Sequence, residues 1–498
     1  MNCHSPKSAS LTGDGFLAVV VSAVVFLIFL PFASAGVDFH HDGIMLKPAM
    51  DVLNGQVLHR DTFSQYGPLT TVIHASLLAV FGKKLLVLRI ATIAMDAVSL
   101  GLLVLWWRTL LPRSLVLCSA GLWLCTAYIF MPLFHLLPWS SSTAMLFQSG
   151  CLLSLSTAVR ARRPMVRVSA VAIAGVLASA AFWCRQPVGA ALAIAGTSIP
   201  ILLQRRSLPQ GARLARIVTH IFLVNPYLLA WCGGGIGLAA VVLGWLYQQG
   251  AIADWYQQNV LWPRQFAAGY FSLLNLKNCF FAFHTLVPLC GLVLLTYCVH
   301  WICRLSLSKF LKLLITGALA VTWLGVSISL KSLRDHGIVE RFIPVAIIGF
   351  LGFVAWRRRW RLMELSLQRG LLLPALASWL QFYPVPCPRH LFWGLTPMIG
   401  LFVFLLYRTS RHHAQVIALA ILIFAVPLGM QTLLQSFRHL QLADTPIADS
   451  GLLEGMRPYR SVPMPWWYRS VSSDVTWFLN LRQQLVAAYP DKPVMLLG

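Results

Sequence analysis

The feature that most constrains this chain is the recurrence of uncharged apolar runs, many of them about 18 residues or longer, the helical length that crosses a bilayer. In lipid a spanning helix satisfies its own backbone hydrogen bonds, so runs of this kind fold as bundled helices. Charged residues make up 11% of the 498 positions, against about a quarter in a soluble protein. A soluble enzyme, a secreted disulfide scaffold and a disordered chain are excluded. The sequence is that of an all-α polytopic membrane protein.

Lys and Arg number 39 against 15 Asp and Glu, a net charge of +24. On a soluble protein that balance would point to nucleic acid. Here the basic residues sit in short clusters between apolar runs, so the expected partner is the lipid bilayer and no nucleic acid is implied. The clusters are Arg108 and Arg113; Arg160 to Arg167; Arg205 to Arg216; Arg304 to Lys312; Arg357 to Arg361; and Arg408 with Arg411. Each is separated from the next by two spans, which marks these loops as cytoplasmic. The eleven cysteines are scattered, without a CxxC pair, and read as small buried hydrophobes.

This alternation gives about thirteen spans of bilayer length. They are 16–36, 86–107, 115–134, 140–158, 168–183, 188–203, 219–246, 282–303, 309–329, 338–356, 370–382, 391–407 and 414–433. The run 67–82 would break the alternation if it crossed, and reads as a helix lying in the outer interface. Residues 1–437 form the transmembrane domain, with 37–85 as its first outer loop. Residues 438–498 form a small outer segment of helix, turn and incipient strand, either minimal or cut short. The N-terminus is expected in the cytoplasm and the C-terminus in the periplasm of a bacterial inner membrane.

The acids are concentrated where chemistry is expected. Of six before residue 254, four (Asp38, Asp42, Asp51 and Asp61) lie in the first outer loop, "VDFHHDGIMLKPAMDVLNGQVLHRDTFSQYGPL". Loops held by a rigid scaffold are where catalytic groups tend to sit. Asp42 can also cap a short helix that ends at Gly55. Asp51 reads as a structural partner of Lys47. His40 and His41 beside these acids have the ligand types for a divalent cation, but adjacent histidines on an extended chain diverge, so at most one can join Asp42. Asp96 stands alone inside the second span, where an acid marks a functional candidate by default.

The residues "HHDGIML" at 40–46, "DVLNGQVLHRDTFSQYGPL" at 51–69, "AVFG" at 79–82 and "VLRIAT" at 87–92 resemble the GT-C superfamily of membrane glycosyltransferases. The nearest likeness is to the lipid A aminoarabinose transferase and protein O-mannosyltransferase group. The resemblance implies inverting transfer of a sugar from a polyprenyl-phosphate donor to an envelope glycan, lipid or protein acceptor on the periplasmic face. It puts Asp42 at the general base, with Asp38 in reserve. Many relatives carry a second acid between spans three and four; here "FHLLPWSSSTAM" holds His135 and no carboxylate, which counts against a metal-dependent version.

Such chemistry also needs cations on the outer side to take up the charge developing on a departing phosphate. Arg89, Arg185 and Arg389 are the candidates, since a guanidinium fork matches phosphate. Asp61, Tyr66, His41 and His390 are candidates for substrate contact. The aromatic outer stretch 253–271 reads as an interfacial anchor. The rival class is a transporter of a lipid or small solute using Asp96; a scaffold without catalysis is the third.

Overall fold

The computed structural model describes residues 11–36, 39–130, 136–205, 225–264, 371–381 and 388–409, with isolated positions at 308, 311, 315, 318, 429, 430, 433, 434, 437, 451, 452, 454 and 456. The described residues are helical, with six helices long and apolar enough to cross a membrane. The helices are α1 (Leu11–Phe29), α2 (Phe39–Leu53), α3 (Pro68–Phe81), α4 (Leu85–Arg108), α5 (Arg113–Phe130), α6 (Ser140–Arg160), α7 (Pro164–Cys184), α8 (Gln186–Gly196), α9 (Ser198–Arg205), α10 (Pro226–Gln248), α11 (Ile252–Tyr256), α12 (Leu372–Leu376), α13 (Pro388–Leu395) and α14 (Met398–Thr409). Proline opens α3, α7 and α10, where the missing N–H would have no helical partner. Gly55 and Gly82 follow α2 and α3 with φ of 85° and 104°, a backbone that stops a helix and that side chains disfavour.

Three sets of contacts fix the directions of the main helices. Arg108 donates to Asp14 at 2.8 Å and Ser22 to the Ala97 carbonyl at 2.9 Å, so α1 and α4 run antiparallel. Thr143 meets Met95 Sδ at 3.6 Å, and Thr109 meets Ser156 at 3.2 Å. That constant offset makes α4 and α6 parallel. Arg167 pairs with Tyr227, and Gly175 with Trp231, so α7 and α10 are parallel too. These directions agree with the alternation deduced from the basic loops.

Small residues let α7 and α10 touch backbone to backbone, the usual way helices pack in lipid. A Cβ on Gly234 would stand 2.2 Å from the Ala172 carbonyl oxygen, and one on Gly175 would stand 2.2 Å from that of Trp231. Gly234→Ala is therefore expected to force the helices apart at a cost of about 1–3 kcal/mol. The adjacent Gly233 has nothing within 4 Å, so Gly233→Ala should leave the midpoint unchanged or slightly raised. Thermal unfolding of both variants in one detergent checks the pair.

The sixth expected span, 188–203, is met by the apolar stretch Gln186–Gln204, in which a turn at Thr197 separates α8 from α9. Pro200 has no N–H to return to the Gly196 carbonyl, and the Trp231 ring crowds Gly196 at the turn. The expected interfacial helix 67–82 is α3, 14 residues long, well short of the roughly 20 that cross a bilayer. The eleventh segment shows α12 followed by a 3-10 turn Ala377–Gln381, five residues each. Spans 282–303, 309–329, 338–356 and 414–433 lie largely outside the described residues, as does nearly all of 438–498.

What is described of that last stretch docks beside α2 and α3. Leu85 N–H donates to Leu452 O at 2.9 Å and Lys84 pairs with Glu454 at 2.9 Å. Met456 is buried among Leu46, Ala49, Ala75, Leu78 and Leu88. Leu452, Glu454 and Met456 thus lie at the same end of α4 as the first loop.

Candidate active site

Asp42 lies in the first turn of α2, and Arg89 in the second turn of α4. The helix begins at Phe39, so Asp42 sits inside it and is not its cap. The two side chains form a bidentate pair: Arg89 Nη2 donates to Asp42 Oδ2 at 2.5 Å, and Nε to Oδ1 at 3.3 Å. Arg89 Nη1 donates to the Ala35 carbonyl at 2.8 Å. Both residues are 2% exposed. Two charges withdrawn from water need fork geometry and further hydrogen bonds to offset desolvation. Both are present here. The two contacts are unequal, the one from Nε to Oδ1 being the longer.

The other acids of the loop are structural partners. Asp51 accepts from Lys47, one turn earlier, and from Thr62, each at 2.5 Å. Asp61 accepts from the Val57 amide at 2.8 Å and from Arg60, which also reaches the Gln249 carbonyl. Hydrogen bonding from Arg60 and then from Val57 holds the Asp61 carboxyl down at about 2. Asp61 closes a turn; its hydrogen bonds tie it to Val57 and Arg60 rather than to Asp42. Asp38 lies outside the described residues.

An aromatic strip adjoins the pair. The rings of His41 and Trp139 stand 5.1 Å apart, and His390 lies 5.9 Å from Trp139. Trp139 stacks on Trp393 at 5.3 Å and 14°, and Trp393 Nε1 donates to Ser142 Oγ at 3.2 Å. His41 and His390, remote in sequence, therefore meet on one tryptophan. Arg389 is in α13, its side chain outside the described residues.

Arg185 occupies the α7–α8 junction, half-buried, and donates through Nη1 to Ser141 Oγ at 2.6 Å. Tyr66 is close enough to feel its charge, although burial dominates and pushes the phenol up. Gly67 makes this approach possible: its N–H donates to Cys184 O at 3.3 Å, and a Cβ there would lie 2.0 Å from Trp183 O.

A clasp of two amides fixes the rest of the loop. A π-helical turn, Gln257–Leu261, follows α11, and such turns are frequent at functional sites. Gln258 receives the Ser64 amide at 3.1 Å and donates to the His59 carbonyl at 2.7 Å. Asn259 donates to the Ser64 carbonyl at 3.1 Å and accepts from Gln186 at 2.6 Å. His59 itself takes φ of 71°. Sequence reasoning treated 253–271 as an aromatic anchor and passed over both amides, although "YQQNV" is an unusual polar run in that setting. Trp139, Ser141, Ser142 and Trp393 were also missed; the serine run "PWSSST" at 138–143 was the available signal.

Burial holds His59 below its ordinary value of 6.5, and takes His74, on α3, down to about 4. Burial disfavours the charged form of each in the folded protein, while their unfolded counterparts take up protons below about 6.5. Their contribution is thus complete above pH 6.5 and falls as the solution is acidified toward about 4 for His74. From pH 7.5 to pH 5.5 the expected loss from His74 is about 1.4 kcal/mol, one unit below 6.5. His74→Gln should flatten the pH dependence of the unfolding midpoint over that range.

Among the described residues no group of three or more His, Cys, Asp or Glu is arranged to hold a metal ion. The helices and this site define a helical membrane protein whose α2–α3 end carries a buried carboxylate–guanidinium pair beside an aromatic strip and a serine-rich helix start. No family model matches the chain, and neither a curated protein nor a solved structure does so.

Proposed function

We propose that the protein is an integral-membrane glycosyltransferase of the GT-C kind, transferring a sugar from a polyprenyl-phosphate donor to an envelope glycan, lipid or protein acceptor. The reading includes about thirteen spans and places the first loop and the 438–498 segment in the periplasm of a bacterial cell, with the N-terminus in the cytoplasm. The observation that carries it is Asp42: an acid of the first loop, held on a short helix by Arg89, beside rings able to flank a sugar.

Asp42 is the general base. The acceptor hydroxyl gives its proton to Oδ1, the oxygen Arg89 holds at 3.3 Å. Its oxygen then forms the new bond to the anomeric carbon as the bond to the phosphate oxygen breaks on the opposite face. Polyprenyl phosphate departs with the electron pair, and its growing charge is met by fixed cations. Arg89 keeps the carboxylate aimed. His41, Trp139 and His390 line the path of the sugar.

The test uses a host lacking the native protein, complemented with wild type or Asp42→Asn at matched membrane levels. Polyprenyl-phosphate sugars and envelope glycans are compared by mass spectrometry. The expected variant profile lacks one sugar increment and accumulates a lipid-linked donor. Identical profiles would remove Asp42 from the reaction and sink this reading.

A further inference from the structure

We propose that the N-terminus of α6, with Ser140, Ser141 and Arg185, is the site that takes the phosphate of the polyprenyl-phosphate ligand. This rests on the transferase reading above and names the part of the site that reading leaves open. Arg89 was the first candidate from sequence, but its fork is occupied by Asp42 and the Ala35 carbonyl. The phosphate needs other donors.

The first turn of α6 runs Ser140, Ser141, Ser142, Thr143, and the preceding Trp139 offers no side-chain cap. The amides of Ser140 and Ser141 have no helical carbonyl within reach. The aligned dipoles of a 21-residue helix favour an anion at that end. A second, independent observation points to a ligand there. The Ser140 hydroxyl is fully buried and has no hydrogen-bond partner, although buried polar groups are almost always matched. Arg185 adds a full charge to the same turn through Ser141. Having accepted that bond, the Ser141 hydroxyl still holds a proton to donate.

The position suits the reaction. Trp139, the residue before this turn, meets the ring of His41, and His41 adjoins Asp42. The phosphate end and the reacting carboxylate are thus linked through one aromatic contact.

The test measures binding of undecaprenyl phosphate to the full-length protein in phosphatidylcholine nanodiscs, with undecaprenol and phosphatidic acid as competitors. Arg185→Gln is expected to weaken binding about ten- to hundredfold, the loss of one charge-assisted hydrogen-bonding group. Ser140→Ala/Ser141→Ala should weaken it at least about fivefold with an unchanged unfolding midpoint, so the result holds even if Arg185→Gln folds poorly. Ser149→Ala, removing another buried partnerless hydroxyl of α6, should bind as wild type does. Undecaprenol should compete with none of them. Wild-type binding by both Arg185→Gln and the double serine variant, or equal competition by phosphatidic acid, would overturn the assignment. If the site variants lose the phosphate but wild type moves no sugar, the binding site stands and the transferase reading alone fails.

Discussion

Asp42→Asn is expected to lose transfer by about 10²–10⁴-fold, the usual worth of a positioned general base, and to cost about 3–5 kcal/mol of stability. The second effect confuses the first. Asp42 and Arg89 are each 2% exposed, so removing the carboxylate leaves a guanidinium in a place water does not reach. An inactive single variant would therefore be ambiguous between lost chemistry and a lost fold.

Removing both charges separates the two. Exchanging a buried ion pair for apolar residues of similar volume is often neutral or stabilising. Asp42→Leu/Arg89→Met should thus recover the wild-type unfolding midpoint to within about 1 kcal/mol. Its transfer should remain as low as that of Asp42→Asn. If the refolded double variant regained transfer, the pair would be a structural strut and the base would lie elsewhere, with Asp38 next to test. Arg89→Lys is a useful intermediate: it keeps the charge but loses the fork that holds both carboxylate oxygens and Ala35. It should retain more stability than Asp42→Asn while lowering transfer, because the carboxylate is no longer aimed.

Sequence reading reached the helices more easily than the pairs between them. The hydropathy of α1, α4, α6, α7 and α10 is a local property, so each is found where it was expected, α4, α6 and α7 closely and α1 and α10 with ends displaced by up to about two turns. The sixth span was legible as one apolar run, and the structure keeps it as one, Gln186–Gln204, with a turn at Thr197. The Asp42–Arg89 pair was half legible. Both residues stood out for their charge, but nothing local says that partners 47 positions apart face each other, and Arg89 was assigned to a phosphate. Trp139 and Trp393 had no chance of being matched, since a tryptophan near a membrane interface has an ordinary reason to be there. Gln258 and Asn259 were hidden by having no charge. In a chain this poor in polar residues, uncharged amides in a turn carry more information than their hydropathy gives them.

Asp96→Leu is expected to raise stability by about 3 kcal/mol, since the change removes an unmatched polar group from the interior. It should leave sugar transfer within about twofold of wild type, a range ordinary for a residue outside the reaction. Asp96 is seven residues beyond Arg89, hence on the same face of α4 and about 10 Å further along its axis. Ser142 of the parallel α6 is the side chain that faces it, yet neither carboxyl oxygen reaches a hydrogen bond of ordinary geometry. A buried acid in that state is either a tolerated liability or a group retained for a task. A transporter would need it, because coupling at mid-membrane depends on an ionisable group there. A transferase acting at Asp42 has no use for it beyond packing. The two readings therefore predict opposite outcomes from one substitution. Loss of function in an Asp96→Leu protein that melts at or above the wild-type temperature would move the chemistry from the α2 loop to the interior of the bundle. Retained transfer with a raised midpoint would leave the loop carboxylate as the reacting group.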